Sequence, residues 1–232
     1  MSYTKIAVLL VACLLAYLFF YRGPEVEYGQ YTGAGESAPE LSGREIIGHM
    51  RVHLGSRNYG AGHGFVLSAG NRQYVVSASH IIVGSFNDVD KVDVVSANTV
   101  LLAGAEPATG PSYSTCNMDD ARRDVTFYAT DTVHRGGDIP LGNAPPLVGQ
   151  KVWLLCTQDR EAATKKLIPA EVTFSSNRAL KYTFETGLKF DGTSGCPIVN
   201  SARQLVGVNV CGHSQAGVAV PLPTIIEGLD AI

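Results

Sequence analysis

Charge is scarce and nearly balanced in this chain. Only 17% of its 232 residues are Asp, Glu, Lys or Arg, 18 basic against 21 acidic, and the basic doublets Arg122-Arg123 and Lys165-Lys166 stand alone. A protein that grips a phosphate backbone needs a clustered basic face, so nucleic acid is not expected as a partner. Cysteine pairs at C-x-x-C spacing are absent, which argues against a zinc site. His49 and His53 have the i, i+4 spacing of helical metal ligands, but Gly48 and the Ile/Val pattern around it favour a strand, and no metal is expected. Gly60-Ala61-Gly62-His63-Gly64 misplaces the third glycine of a dinucleotide fingerprint and lies in no βαβ unit, so no cofactor is expected. Internal repeats are missing, and 45% apolar content is too high for a disordered chain.

What the chain does have is punctuation. Gly 25 and Pro 11 separate many short Val/Ile/Thr/Tyr runs, the pattern of an all-β body. A first set of runs covers Ile46 to Leu54, His63 to Ser68, Gln73 to Ala78, Val92 to Ala97, Val100 to Ala103 and Val125 to Ala129. His134 to Pro146, with Gly136-Gly137 and Pro145-Pro146, reads as a connector. A second set covers Lys151 to Thr157, Ile168 to Phe174, Leu180 to Glu185, Pro197 to Asn200, Gln204 to Val210 and Gly217 to Val220. Two such groups predict two six-stranded antiparallel β-barrels in a domain over 43–232, the first over about 43–134 and the second over about 147–232, with a site in the shared cleft.

Ahead of that body, Ile6 to Tyr21 is an uncharged apolar run between Lys5 and Arg22. As a helix it rises about 24 Å, at the lower limit for crossing a hydrocarbon core of roughly 30 Å. No small-x-small cleavage site directly follows, so the expectation for residues 1–21 is an uncleaved single-pass anchor, with a cleaved signal peptide, and hence a secreted body, as the main alternative. Leu10-Val11-Ala12-Cys13 also has a lipobox look, but cleavage there would leave an apolar stretch exposed behind the cysteine. The flanking charges weakly favour a cytoplasmic N-terminus and a body on the other side. Residues 22–42, rich in Gly, Pro and Glu, read as a tether. Cys116, Cys156, Cys196 and Cys211 of the body permit several pairings or none.

Three residues stand where chemistry can be done. His80 ends the run Tyr74-Val75-Val76-Ser77-Ala78-Ser79-His80, at the rim of a buried strand, and Asp124 opens Asp124-Val125-Thr126-Phe127. Ser194 lies in Asp191-Gly192-Thr193-Ser194-Gly195-Cys196-Pro197, a glycine-flanked turn of the kind that aims consecutive backbone N–H groups at one point. Singly, each has an ordinary reading as a turn, cap or structural residue. Asp119 and Asp120 compete with Asp124, but no β-run follows them directly.

Taken together and in this order, the segments resemble chymotrypsin-fold, trypsin-like serine proteases. The likeness rests on Gly62-His63-Gly64-Phe65-Val66, on Val76-Ser77-Ala78-Ser79-His80 (family pattern V-T-A-A-H), on Asp124-Val125, and on Gly192-Thr193-Ser194-Gly195-Cys196-Pro197 (pattern G-x-S-G-G-P). Leu205 to Val210 and Gly217 to Pro221 are similar to the last strands of HtrA-type and compact viral enzymes, so the resemblance spans nearly all of 43–232. It implies an endopeptidase in which Ser194 is the nucleophile, His80 its base and Asp124 the orienting carboxylate. Gly192 and Ser194 N–H groups would form the oxyanion hole, and Val210, Cys211 and Gly212 would pair with an extended polypeptide substrate.

The departures from that family also carry information. Thr193 stands where zymogens carry the aspartate that receives a new N-terminus, so activation by N-terminal insertion is not expected and Arg44-Glu45-Ile46-Ile47-Gly48 reads as a first strand. Cys196 replaces the second glycine of the serine motif, and hairpin arithmetic sets it near Cys211, which allows a disulfide without requiring one. Leu188 removes the acidic pocket floor that selects Lys or Arg. Lys189, Asn209 and His213 fall in segments that flank the primary pocket in relatives, leaving an apolar or a polar-to-acidic P1 residue open. A protease-like domain that binds without turnover, or a viral-type enzyme processing its own polyprotein, are the competing readings.

Overall fold

The computed structural model describes residues 24–33, 35–41, 45–83, 89–96, 99–105, 119, 121–130, 137–157, 165–187 and 191–232. The expected anchor over 1–21, Cys116, Asp120, Leu188 and Lys189 lie outside them. Among the described residues no helix is long and apolar enough to cross a membrane.

Two β units follow one another. The first is a sheet of β1 (Ile47–Leu54), β2 (Arg57–Ala69), β3 (Arg72–Ser77), β4 (Lys91–Ser96), β5 (Thr99–Ala105) and β6 (Thr126–Ala129), ordered β5-β4-β1-β2-β3-β6. β7 (Ile139–Pro140) adds to it in parallel, alongside β2. The second is a closed barrel of β8 (Lys151–Thr157), β9 (Lys165–Ser175), β10 (Leu180–Phe184), β11 (Pro197–Val199), β12 (Leu205–His213) and β13 (Ala216–Pro221), ordered β10-β13-β12-β11-β8-β9. Its ladders are antiparallel throughout. The all-β, two-barrel expectation therefore holds, with one refinement: among the described residues no ladder joins β5 to β6, and the first unit is a curled sheet.

The apolar pattern explains how the two units share a core. In β8 the run Val152 to Cys156 is buried throughout, as a strand covered on both faces requires. Val152, Leu154 and Cys156 face the barrel interior with Tyr182, Ile198 and Val206, whereas Trp153 and Leu155 join the cluster built on Phe65, Val66 and Val75 of the first sheet. Side-chain alternation thus makes one strand serve two cores.

Three features were not legible as elements. α1 (His80–Val83) is a single turn anchored by buried Ile81 and Ile82. α2 (Leu222–Asp230) follows Pro221, buries Leu222 and Ile225, and runs back to the first sheet, where Gly228 lies so close to Phe127 that a Cβ would sit 2.6 Å from its ring. The third is the supposed tether. Residues 24–31 are fastened to the second barrel: Tyr28 N–H donates to the Ser175 carbonyl at 2.8 Å, Tyr31 N–H to Val148 at 2.8 Å and Asn177 N–H to Val26 at 3.0 Å. Glu25 accepts from the Ser176 hydroxyl at 3.1 Å, and Gln150 reaches Glu36 at 3.1 Å. Composition alone pointed to a free linker; specific backbone pairing with the barrel makes it a strap.

A disulfide joins Cys156 to Cys196, with Cα atoms 5.5 Å apart. Cys211 is disulfide-bonded as well, but not to Cys196: that residue stands opposite Asn209 on β12, and its side chain turns into the barrel toward β8.

Candidate active site

The cleft residues are placed by buried anchors on either side. β3 carries the buried run Tyr74 to Ala78 up to the rim, where Ser79 and His80 turn into α1. Asp124 closes a tight turn, its N–H donating to Ala121 at 3.0 Å, two residues before β6. Its carboxylate is heavily engaged: Oδ1 accepts the His80 backbone N–H at 2.8 Å and lies 3.2 Å from the Ser79 hydroxyl, and Oδ2 lies 2.7 Å from His80 Nδ1. An ionised carboxylate only accepts, so His80 Nδ1 carries the proton and, in the neutral ring, Nε2 presents a lone pair. That lone pair faces Ser194 Oγ at 3.0 Å. The serine hydroxyl also lies 3.0 Å from the Val210 carbonyl, which gives its single proton two acceptors.

Ser194 comes from the other unit, in the turn before β11. Gly192 there has φ +81 and Gly195 φ +84, in the left-handed region that glycine adopts freely. Gly195 is also obligatory for space, because a Cβ would lie 2.0 Å from the His63 carbonyl oxygen. Three successive carbonyls of the turn, those of Gly192, Thr193 and Ser194, are held from behind. Thr193 O accepts from Asn209 Nδ2 at 2.9 Å and Cys196 N–H at 3.0 Å, and Ser194 O accepts from the His63 backbone N–H at 2.8 Å. Because C=O and N–H are anti across a trans peptide, fixing Thr193 O inward turns the Ser194 N–H outward.

Gly192 O lies 2.7 Å from His63 Nδ1. A carbonyl only accepts, so His63 Nδ1 carries its proton there. His63 Nε2 lies 2.8 Å from Thr157 Oγ1, which lies 2.8 Å from His49 Nε2. His63 is 4% exposed, and burial, with repulsion from the neighbouring His49 imidazole, pushes its pKa down to about 4. It is neutral at ordinary pH, so Nε2 accepts from the Thr157 hydroxyl, and the Thr157 oxygen in turn accepts from His49 Nε2–H. Every proton in this chain is assigned by the one acceptor-only carbonyl at its end.

The structure brings His80, Asp124 and Ser194 together and places Gly192 in the same turn. Val210, Cys211 and Gly212 lie at the end of β12, where β13 pairs on one side while β11 reaches only as far as Val208, leaving no described strand on the other. Asn209, expected beside the primary pocket, is fully buried. Its amide is committed to Thr193 O and Oγ1 at 2.9 and 3.0 Å and to the Tyr182 hydroxyl, so it acts on the turn from inside. Burial pushes the Tyr182 phenol up, which keeps it a donor to Asn209 Oδ1. His53 pairs with Asp93 Oδ2 at 2.6 Å, and His49 lies against Thr157. Among the described residues no group of His, Cys, Asp and Glu could hold a metal ion.

His63, His49 and Thr157 escaped the sequence reading of the site. The one signal was a histidine between two glycines in a strand run, a place where another backbone approaches closely.

No protein-family model matches the chain, and no curated protein sequence does. Solved structures do. The Rv3671c protease from M. tuberculosis, active form, superposes with a TM-score of 0.56 at 14% identity over 88% of this chain and 93% of its own. The serine endoprotease from Yersinia pestis gives 0.56 at 17% identity over 81% and 62%. The human pathogenic astrovirus serine protease gives 0.52 at 16% identity over 82% and 95%. The chain has the chymotrypsin fold.

Proposed function

We propose that the protein is a serine endopeptidase that cleaves polypeptides through His80, Asp124 and Ser194. The observation that carries this is the hydrogen-bonded series Asp124 Oδ2, His80 Nδ1 at 2.7 Å, His80 Nε2, Ser194 Oγ at 3.0 Å, assembled from two separate units. The protease names of the structural neighbours support it. Ser194 Oγ attacks the scissile carbonyl while His80 Nε2 takes its proton, and the Asp124 carboxylate stabilises the imidazolium that forms. The oxyanion meets the N–H groups of Gly192 and Ser194, neither of which donates to a backbone carbonyl among the described residues. His80 then gives its proton to the leaving amine, and water, deprotonated by the same imidazole, releases the acyl group and regenerates Ser194.

The substrate lies extended along Val210 to Gly212, adding a strand to the free side of β12. An apolar P1 residue suits Leu188 better than a basic one. We place the body at a membrane, beyond the cytoplasmic side, from the apolar run over 6–21; the strap then seats the body directly behind that run.

Fluorophosphonate labelling of the purified body, wild type against Ser194→Ala, tests the reading. An adduct on Ser194 that is lost in the variant, with hydrolysis of an apolar-P1 peptide lost in parallel, is the expected result. Folded wild-type protein that takes no label would overturn it in favour of a binding domain.

A further inference from the structure

Behind the nucleophile turn runs a second hydrogen-bonded series that the reaction itself does not touch. It spans the seam between the units: His49 on β1 and His63 on β2, directly paired in that ladder, meet Thr157 at the end of β8 and the Gly192 turn of the second barrel. His63 makes five contacts across or along this seam. Its backbone N–H holds Ser194 O at 2.8 Å, its carbonyl accepts the Ser77 hydroxyl at 2.6 Å and touches Gly195, and its ring reaches both Gly192 O and Thr157. Trypsin-like enzymes that hold this turn by an ion pair need a charge at the Thr193 position. Here that position is a threonine, clamped by the neutral amide of Asn209.

We propose that His63 is a positioning residue for the oxyanion turn: by donating Nδ1–H to the Gly192 carbonyl it fixes the peptide plane at the head of the turn. Thr157, oriented by His49, holds the ring from its other nitrogen and so keeps it aimed at that carbonyl. The inference deepens the protease reading and rests on it for its catalytic consequence. The Gly192 carbonyl shares its plane with the Thr193 N–H, and this peptide is the link between the two oxyanion donors, Gly192 N–H and Ser194 N–H. Released from His63, it is free to rotate about the Gly192 ψ angle, glycine offers little steric resistance to that rotation, and the relative placement of the two donors is no longer fixed. The donors that must face the oxyanion would then be ordered only when substrate arrives, at the expense of kcat and not of KM. Thr157 matters because its hydroxyl, donating to Nε2, holds the ring in the orientation from which Nδ1–H reaches the Gly192 oxygen. A ring without that second contact is free to turn about its Cβ–Cγ bond and lengthen the bond to Gly192.

Two near-isosteric variants separate this role from mere packing. In His63→Asn the amide nitrogen falls near the Nδ1 position; in His63→Gln it falls near Nε2. The expected result is a kcat loss of about 100-fold for His63→Gln with KM within about twofold of wild type, and a loss below about 10-fold for His63→Asn. Thr157→Val, which keeps the histidine, is expected to lose about 10-fold in kcat and covers the case in which His63→Gln does not fold. Equal losses in the Asn and Gln variants, or wild-type kcat in His63→Gln, would overturn the proposal. A second readout does not depend on turnover: the amide resonances of Gly192 and Ser194 in the Ser194→Ala background, used as reference, are expected to move with His63→Gln and to stay with His63→Asn. Protein inert toward peptide and probe would sink the protease reading, and these resonances would still decide whether His63 sets the turn.

Discussion

The front and the rear of the nucleophile turn carry the same connectivity. At the front, His80 Nδ1 faces an acceptor-only oxygen of Asp124 at 2.7 Å and Nε2 faces the Ser194 hydroxyl at 3.0 Å. At the rear, His63 Nδ1 faces the Gly192 carbonyl at 2.7 Å and Nε2 faces the Thr157 hydroxyl at 2.8 Å. The difference lies in the charge of the acceptor and in what surrounds the ring. A carboxylate can stabilise an imidazolium, and the His80 side chain is 23% exposed at the cleft. A carbonyl offers only a dipole, and the His63 ring is buried with a second imidazole at a centroid distance of 4.4 Å. Acceptor, ring and hydroxyl alone therefore do not define a catalytic arrangement. The anion and the access to solvent convert a rigid strut into a proton carrier.

The sharpest way to break the parallel is to remove the anion from the front. Asp124→Asn is expected to lower kcat by about four orders of magnitude while the protein stays folded, because the amide favours the wrong His80 tautomer; peptide hydrolysis and a thermal melt together check it. Next comes the disulfide, which ties β8 to the residue two past Ser194. The pair closes a span of 40 residues, and replacing both cysteines by alanine is expected to lower stability by about 4 kcal/mol in a chain-entropy account. Urea titration of the double variant measures that loss.

The rear histidine then predicts an acid limb in stability. His63 has a folded pKa of about 4 against an ordinary 6.5, so between those values the unfolded chain binds a proton that the folded chain does not. Stability is full above about pH 6.5 and falls as pH drops toward 4, by roughly 3 kcal/mol at the lower end. His63→Asn should flatten that limb in urea titrations run across the window. The smallest effect is expected for Thr157→Ser, which keeps the hydroxyl and loses a methyl: about 1 kcal/mol in stability, with the His63 resonances unmoved by ring nitrogen NMR.

Most of the fold was written in the alternation and punctuation of the chain. The runs at 151–157, 180–185 and 197–200 coincide with β8, β10 and β11 to within a residue, since burial on a pleated surface is a period-two property that a sequence displays directly. The strap over 24–31 was not visible, because its order comes from backbone pairing with Val148 and Ser175, which leaves no trace in side-chain pattern. α2 was missed for its brevity and because Pro221 and Pro223 at its start interrupt the apolar pattern that would announce a helix. At the site, three segments pointed to the cleft because each carries a reactive side chain next to small residues. Asn209 misled for the opposite reason: its position in the chain adjoins the substrate strand, and strand alternation turns its side chain inward. His49 and His63 are paired within the first sheet and meet Thr157 only through the packing of one unit on the other; the glycines flanking His63 are the one local sign of that meeting.

The strap also has a bearing on the order of events during synthesis. Glu25 waits for Ser176, a separation of 151 residues, and Tyr28 waits for Ser175. At ribosomal speeds of about 5–20 residues per second, that interval is on the order of 10 to 30 s, long enough for the first sheet to form while the strap has nothing to hold. The segment that leaves the ribosome before either unit thus meets its partners only after the first sheet has been made, once β8 and β9 of the second barrel have followed.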